Sequence, residues 1–365
     1  MFVGITNTPR DYAWGSSTAI AELLGTTPSG GPEAELWLGT HPGSPSRLSN
    51  GNGDLLDVIG TPLPFLLKVL AAAKPLSLQV HPNRAQAEVG FAAENRAGIP
   101  VDAPERNYRD PHAKPEMIVS LSDRFVALCG FRPVNNTRAL LEPHAGNGAI
   151  AGLLARLVDD KSLAATFEWL IRGGPEIDEL VRTVSGSTAL GAEWEAVRFL
   201  AAEYAGDPGI AISLLLNTVI LRTGDALYLE AGTIHAYLTG LGIELMTASD
   251  NVLRGGFTSK HVDIEQLLHV VDFRPTVSPV LQPVRPAEGI AEYAPVGAPF
   301  RLQIVSEPST ISFRGDALAL CVAGEFQLAG AVNNDVVSRA DACYISADES
   351  PIAARGSGML VIASA

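Results

Sequence analysis

Residues 221–263 decide the fold of this chain: LRTGDALYLEAGTIHAYLTGLGIELMTASDNVLRGGFTSKHVD. An apolar run breaks at the turn around Gly224, resumes, breaks again around Gly232, and then leads through His235 into another apolar run. Short strands separated by glycine turns are typical of an antiparallel barrel or sandwich, and not of alternating strands and helices. The stretch therefore predicts a mainly β protein.

The spacing of these glycines and this histidine is similar to that of the second half-motif of the cupin barrels. Glu244 and Arg254 follow in the same stretch, with Arg254 among turn-prone residues. A barrel mouth that presents His235, Glu244 and Arg254 is a candidate functional site.

Composition limits the classes of protein that the chain can belong to. At 365 residues it exceeds one ordinary domain, so we expect two or three units. No apolar run approaches the roughly 18 residues of a membrane span, and no charged-then-apolar leader is present, so we expect a soluble, cytoplasmic protein with no membrane partner. The net charge of −14 disfavours nucleic acid as a partner, although a local cluster of cations could still bind a small anionic substrate. Three cysteines without paired spacing predict buried, reduced thiols.

A second informative stretch is PFLLKVLAAAKPLSLQVHPN, residues 64–83. Its alternating pattern places Gln79 and His81 on the same face of a strand, and Pro82 keeps His81 extended. Taken alone, a histidine beside a glutamine is more often a structural hydrogen-bonded pair than a ligand pair. Asn83 is expected to cap a helix over residues 84–96.

A third stretch, residues 107–133, contains Lys114 and Glu116 on either side of Pro115. The proline forces Lys114 into extended backbone, so Lys114 and Glu116 share one face. Such pairs usually lie on the surface. The apolar residues directly after Glu116 indicate that this carboxylate lies nearer the interior.

Four side chains from these stretches could meet: Gln79, His81, Glu116 and His235. Two imidazoles, one carboxylate and one amide oxygen suit a borderline divalent ion such as Zn²⁺ with an open coordination position. A single carboxylate leaves such a site with net positive charge, which favours binding of an oxyanion.

Six motifs carry a resemblance to a known family: YAWG (12–15), ELWLGTHP (35–42), PFLLKVL (64–70), KPLSLQVHPN (74–83), AKPEM (113–117) and the run from residue 231 to 263. Over nearly its whole length the chain resembles the type I mannose-6-phosphate isomerases. The resemblance implies Zn²⁺, one per chain, on the four side chains named above, and Arg254 in catalysis. The positions that it implies along the substrate cleft are Trp14, Lys68, Lys114, Tyr237, Glu244 and Lys260.

The resemblance also implies the domain organisation. Residues 1–133 and 207–274 are expected to form one discontinuous catalytic barrel of the cupin (jelly-roll) type. Residues 134–206, where apolar side chains recur at helical spacing, are expected to form a helical insert. Residues 275–365 return to strand-like runs and contain no histidine, so we expect a cupin-like β domain without metal. We expect a monomer or a weak homo-oligomer.

The implied reaction interconverts mannose 6-phosphate and fructose 6-phosphate through a cis-enediol(ate), within mannose and GDP-mannose metabolism. Glu244 is the preferred base, because a carboxylate within an apolar strand should have a raised pKa, and Lys114 and Tyr237 are its competitors. Lysines at the rim of the cleft are expected to hold the phosphate. The chain departs from the family at Ala113, where many members carry a histidine; the nearest histidine here is His112.

Two other classes stay open on the residues alone. A cupin oxygenase that uses iron or manganese would favour three histidines and a carboxylate close to one of them in sequence, whereas Glu116 here lies far from His81. A non-catalytic sugar-phosphate-binding cupin could keep the pocket without the chemistry. The complete ligand set and Arg254 favour an enzyme.

Overall fold

Two antiparallel sheets and one helical segment make up the fold. In this computed structural model, which describes residues 1–276 and 279–365, strands are more abundant than helices, as the glycine-punctuated sequence predicted. The mainly β fold class is confirmed.

The strands are named in chain order. They are β1 (Phe2–Thr6), β2 (Glu35–Leu38), β3 (Arg47–Leu48), β4 (Phe65–Ala72), β5 (Leu78–Val80), β6 (Glu116–Ser120), β7 (Phe125–Phe131), β8 (Leu216–Leu221), β9 (Ala226–Leu229), β10 (His235–Thr247), β11 (Leu253–Gly256), β12 (Val280–Leu281), β13 (Ile290–Tyr293), β14 (Arg301–Val305), β15 (Ser309–Ile311), β16 (Ala317–Ala329), β17 (Asn334–Ser338), β18 (Ala342–Ile345) and β19 (Ile352–Ser364).

The α-helices are named in the same way. They are α1 (Ala19–Leu24), α2 (Leu55–Ile59), α3 (Arg84–Arg96), α4 (Val134–Leu141), α5 (Gly148–Arg156), α6 (Leu163–Arg172), α7 (Pro175–Ser185), α8 (Ala192–Glu203), α9 (Gly209–Ser213) and α10 (Ile264–Val270). Helix α3 covers the residues that the sequence predicted, and the Asn83 side chain accepts a hydrogen bond from the Gln86 amide at its start.

The first sheet is organised around β10. In the described part of the chain this sheet has ten strands, which include the series β11-β5-β10-β6-β9-β12, and β10 also pairs with β4 and β7. Strands β4, β6 and β7 are buried along their whole length. A strand buried on both faces reads as a mostly apolar run, and the buried charged groups in these segments, Lys68 and Glu116, are paired with opposite charges.

A bulge in β10 changes which residues face the interior. Its register against β7 shifts between Tyr237 and Thr239, so one extra residue is inserted in β10. An extra residue reverses the alternation of faces, because side chains alternate with a period of two. His235 and Glu244 are an odd number of residues apart, and strict alternation would have placed them on opposite faces. The bulge lets both face the interior.

The second sheet has nine strands among residues 1–276 and 279–365, in the series β13-β14-β19-β16-β18-β1-β3, with β15 paired to β19 and β17 paired to β16. Strands β1 and β3 therefore belong to the second sheet, although the sequence analysis assigned their residues to the catalytic barrel. Conversely, β12, which lies beyond residue 275, pairs with β9 of the first sheet. The three-part division of the chain stays a prediction, and these short strands cross its boundaries.

The two sheets share one hydrophobic core. Leu67 and Val69 of β4 cluster with Leu318 and Leu320 of β16 and with Val361 of β19. Burial of large aliphatic side chains from both sheets holds the sheets together, since each such side chain contributes about 1.5–3 kcal/mol when it is fully removed from water.

Helices α4 to α8 occupy the region predicted as a helical insert, residues 134–206, and α9 follows directly after it. Their apolar side chains form one core with Leu78 and Val80 of β5 and with Leu253 of β11. The helices therefore pack against the strands that carry Gln79 and Arg254, and they support these strands from outside. Within residues 1–276 and 279–365, no helix has the length and apolar character needed to cross a bilayer.

The bulged strand β10 contains a glycine whose replacement should destabilise the protein. Gly240 has φ +133°, and a Cβ added there would lie 2.5 Å from the Phe125 ring and 2.8 Å from its Cα. We expect Gly240→Ala to lower the free energy of unfolding by about 2–4 kcal/mol, since both a strained backbone and an overpacked contact are introduced.

The matched control is Gly152→Ala in α5, where an added Cβ meets nothing within 4 Å. Alanine favours the helix interior by up to about 1 kcal/mol over glycine, so this variant should be at least as stable as the parent. Urea unfolding followed by circular dichroism measures both changes. Equal changes in the free energy of unfolding of the two variants would contradict the strain and overpacking predicted at residue 240.

Candidate metal centre and active site

Three neighbouring strands place three polar side chains in one row. His235 of β10 pairs with Gln79 of β5, and Gln79 pairs in turn with Arg254 of β11. Residues directly opposite each other in an antiparallel pair project to the same face. The pairing therefore brings together three residues that the sequence singled out from distant segments.

Glu116, the first residue of β6, approaches both imidazoles. Its Oε2 lies 3.2 Å from His81 Nε2 and 3.5 Å from His235 Nε2, and the ligand atoms of these three residues lie within 4.8 Å of one another. Gln79 Nε2 lies 3.4 Å from His235 Nε2, and exchanging the two ends of this amide would direct its oxygen to the same place. The four side chains predicted as metal ligands are thus neighbours.

Backbone carbonyl groups orient both imidazoles. His81 Nδ1 donates to Asn251 O at 2.7 Å, and His235 Nδ1 donates to Thr233 O at 2.9 Å. Because a carbonyl only accepts, each Nδ1 carries the proton, and each Nε2 of a neutral ring offers a lone pair. Within residues 1–276 and 279–365, His81 Nε2 and Glu116 Oε2 accordingly lack a hydrogen-bond partner although both are buried. Converging lone pairs repel one another unless a cation lies between them, so these residues fit a divalent metal ion.

The charge states of the cluster also suit a metal. Burial lowers the pKa of His81 to about 4, against the opposing effect of Glu116, so the ring is neutral at physiological pH. Burial by itself raises the pKa of Glu116, but the Lys114 ammonium opposes burial, and that pKa is held well below its usual value. Lys114 Nζ lies 2.9 Å from Glu116 Oε1, which leaves Oε2 directed at the two histidines.

A second charged cluster lies across β4 and β10. Lys68 Nζ is 2.9 Å from Glu244 Oε2 and 3.6 Å from Glu35 Oε1, and it lies 4.9 Å from the centre of the Trp37 ring. Burial lowers the pKa of Lys68, but the two carboxylates outweigh it and raise that pKa above its ordinary value. Burial raises the pKa of Glu244 despite the ion pair with Lys68. Lys68 is therefore a buried, compensated cation, and it does not lie at the rim of the cleft.

Tyr237 lies between the two clusters. Its ring centre is 6.1 Å from that of His235, and its buried hydroxyl group has no hydrogen-bond partner among the residues that the structure describes. Burial, followed by the charge of Glu244, raises the pKa of Tyr237 well above its ordinary value, so the phenol stays protonated. Trp14 is half-buried, packs against the apolar cluster that contains Tyr237, and stacks on Tyr12.

Cations surround the outer part of the site. Burial lowers the pKa of the half-buried Arg254, and the charge of Arg109 lowers it further. Burial, Arg254 and Arg109 together lower the pKa of the exposed Lys260. Within residues 1–276 and 279–365, none of these three side chains forms an ion pair. Their mutual repulsion would be relieved by a bound anion. Sequence reasoning missed Arg109, since no spacing rule connects it to Arg254.

His112, the histidine nearest to Ala113 in the sequence, lies outside the buried part of the site. Strand β6 begins only at Glu116, so residue 112 is not part of an extended run that would align it with Lys114. The His112 side chain is exposed, whereas Lys114 and Glu116 are buried. The backbone between them turns the imidazole to the outside.

A further pair near the metal cluster was also missed. His41 Nδ1 accepts a hydrogen bond from the Gly43 amide, so its proton is on Nε2, which lies 3.4 Å from Asp250 Oδ1. The hydrogen bond from His41 is the main cause of a lowered pKa at Asp250. His41 lies in the motif ELWLGTHP and Asp250 lies in the run from residue 231 to 263. Nothing in the local sequence of either motif connects the two residues.

Comparison with known proteins gives one consistent result. A family profile for the type I phosphomannose isomerase catalytic domain matches residues 2–134. The mannose-6-phosphate isomerase of Escherichia coli (strain K12) is 39% identical over 98% of this chain and 97% of its own length. The human mannose-6-phosphate isomerase is 32% identical over 74% of this chain and 72% of its own length.

Solved structures agree with these relatives. A mannose 6-phosphate isomerase from Salmonella typhimurium, bound to its substrate and to zinc, superposes with a TM-score of 0.91 at 37% identity, covering 99% of this chain and 98% of its own. The apo form from the same organism also superposes with a TM-score of 0.91, at 36% identity and with the same coverage.

The lowered pKa of His81 predicts how the stability of the metal-free protein depends on pH. An unfolded histidine takes up a proton near its ordinary value of 6.5, whereas folded His81 does so only near 4. Between these values the unfolded state binds more protons, so stability falls as pH falls, by up to about 1.4 kcal/mol per pH unit from this residue.

Urea unfolding of chelator-treated protein between pH 6.5 and 4 measures this slope. His81→Gln should flatten it, and His261→Gln, which changes an exposed histidine, should leave it as it is. An unchanged slope in His81→Gln would show that other groups dominate the acid sensitivity.

Proposed function

The chain belongs to the type I phosphomannose isomerase family, and from this premise we propose how its residues carry out the isomerisation. The chain interconverts mannose 6-phosphate and fructose 6-phosphate, and it depends on zinc. The observation that carries this conclusion is the convergence of His81, Glu116 and His235 in a chain that matches these isomerases over almost its whole length. Within the described ranges, 1–276 and 279–365, His81 Nε2 and Glu116 Oε2 have no hydrogen-bond partner there.

We propose that His81 and His235 hold zinc through Nε2, Glu116 through Oε2, and Gln79 through its amide oxygen. When bound there, the ion supplies Lewis acidity toward an oxygen of the sugar. The protein keeps the donor set ready for it, since the imidazole protons are fixed on Nδ1 and Lys114 occupies the other oxygen of Glu116.

Glu244 is the proposed base that moves the proton between C1 and C2 of the sugar. Burial raises its basicity, and the ion pair with Lys68 keeps it ionised, which are the two properties that a general base requires. Lys68 then acts on Glu244 and not directly on the phosphate. Tyr237, a protonated phenol next to Glu244, and Lys114 are the groups proposed to shuttle the hydroxyl proton in the resulting enediol(ate).

The outer cations are proposed to act on the negative charge of substrate and intermediate. Arg254 is half-buried in the row that contains Gln79 and His235, so we assign it to the charge that develops on the enediolate oxygens. Lys260 and Arg109 lie farther out and are assigned to the phosphate. Half-buried Trp14 is assigned to the wall of the sugar site. The sugar phosphate is the partner, while a cytoplasmic monomer or weak homo-oligomer stays our prediction from the sequence.

Activity and metal content should change together. We expect about one zinc per chain, since the residues form a single site of four ligands. In a coupled assay with mannose 6-phosphate, chelation should abolish turnover and added Zn²⁺ should restore it. Glu116→Gln should bind zinc weakly and remain inactive after zinc is added. Full activity in chelator, with no zinc by elemental analysis, would exclude the proposed chemistry.

Arg254 and His112 form an informative pair for mutagenesis. We expect Arg254→Lys to lower kcat by about 10²-fold or more, the scale of a lost oxyanion donor. His112→Ala should lower kcat by less than about tenfold, because a general acid or base contributes about 10²–10⁴-fold and His112 lies outside the site. Steady-state kinetics at constant zinc content measure both.

A change confined to KM in Arg254→Lys would instead make Arg254 a ground-state anchor for the phosphate. A hundredfold loss of kcat in His112→Ala with unchanged zinc would show that this histidine performs proton transfer.

A further inference from the structure

Asn251 is fully buried in the irregular segment between β10 and β11, and its polar atoms are all engaged. The side-chain oxygen accepts from the amides of Arg109 at 2.7 Å and Asp110 at 3.2 Å. The side-chain NH₂ donates to the carbonyl groups of Asp110 and His112, both at 2.8 Å, and lies 3.2 Å from Asp110 Oδ1. One amide therefore clamps residues 109–112 from both its ends.

The backbone carbonyl of the same residue orients a predicted metal ligand. Asn251 O accepts the Nδ1 proton of His81 at 2.7 Å, which fixes the tautomer and turns Nε2 toward Glu116. Residue 251 lies outside any strand, so no ladder of backbone hydrogen bonds holds this carbonyl in place. Its position depends on the side-chain contacts and on the amide hydrogen bond to Ser249.

The clamped segment leads directly to a second ligand. Residues 109–112 precede Lys114 and Glu116 in the chain. The next residue, Ala113, is also held, because Thr247 Oγ1 donates a hydrogen bond to Ala113 O at 2.8 Å. Asn251 thus fixes His81 on one side and the approach to Glu116 on the other. Only an amide can do this, because an aspartate lacks the NH₂ donors and would place negative charge against the carbonyl groups and the Asp110 carboxylate.

We propose that Asn251 is a positioning residue of the metal centre, whose side chain sets the zinc affinity by holding His81 and the segment before Glu116 in one geometry. The proposal rests on the assignment of the zinc site made above. Loss of a group that orients a metal ligand through a hydrogen bond typically weakens metal binding by about 10–100-fold.

The test measures zinc affinity directly, without turnover. Purified Asn251→Ala and Asn251→Asp are titrated with zinc in competition with a chromophoric chelator, and both are expected to bind zinc about 10–100-fold more weakly than the parent. The visible absorption spectrum of the cobalt-substituted protein should also change, since it reports ligand geometry. If the alanine variant does not fold, Asn251→Ser, whose hydroxyl group can keep one of the side-chain hydrogen bonds, takes its place.

The matched control is Asn107→Ala. Asn107 is buried two residues before the clamped segment, and its side-chain NH₂ donates to Asp263 at 2.9 Å. Among the described residues it makes no hydrogen bond to a proposed metal ligand. It should lose stability in urea while it keeps the zinc affinity and cobalt spectrum of the parent.

Two results would overturn the proposal. One is an Asn251 variant that is less stable but binds zinc as tightly as the parent, with an unchanged cobalt spectrum. The other is an equal loss of affinity in Asn107→Ala. Neither depends on catalysis, so an error in the isomerase assignment would appear separately, as tight zinc binding without turnover.

Discussion

The structure depends on one electrostatic constraint: three lone-pair-bearing atoms converge in a buried space. His81 Nε2, His235 Nε2 and Glu116 Oε2 face one another, and none of these groups can donate a proton to another while the rings stay neutral. Such an arrangement is unfavourable without a cation, and it is maintained by neighbouring groups that hold each of the three side chains in place. Backbone carbonyl groups hold the Nδ1 protons, and Lys114 takes one oxygen of the carboxylate.

In the part of the chain that the structure describes, charged side chains are paired in the interior of the site and unpaired in its outer part. In the interior, Lys68 is paired with Glu244 and Glu35, so its charge is balanced and can hold a buried carboxylate in its ionised state. At the mouth, Arg254 and Lys260 have no carboxylate partner among the described residues and repel each other. The buried cluster is therefore suited to proton transfer, and the more exposed cations are suited to the capture of an anion.

Strand β10 connects these regions. It contributes His235, Tyr237 and Glu244, and it pairs with four other strands of the first sheet. The bulge after Tyr237 makes this possible, because a regular strand of the same sequence would turn either His235 or Glu244 away from the interior. The second sheet contributes no described ligand, and it covers the outer surface of the barrel through the core shared by β4 and β16.

The sequence by itself determined whatever depends on neighbouring residues. Glycine-bounded apolar runs predicted a mainly β fold, alternation placed Gln79 with His81 and Lys114 with Glu116, and Asn83 marked the start of α3. These features follow from backbone geometry over a few residues, so local pattern is sufficient. The family resemblance then indicated that segments far apart along the chain contribute residues to one site.

Only the tertiary structure decided the features that depend on pairing between distant segments. It placed Lys68 in the interior beside Glu244, moved β1 and β3 into the second sheet, and turned His112 to the outside. It also revealed Arg109 near Arg254 and the clamp made by Asn251. The physical reason is that strand register and bulges are set by contacts across the sheet, and a shift of one residue reverses every face without any change in the local sequence pattern.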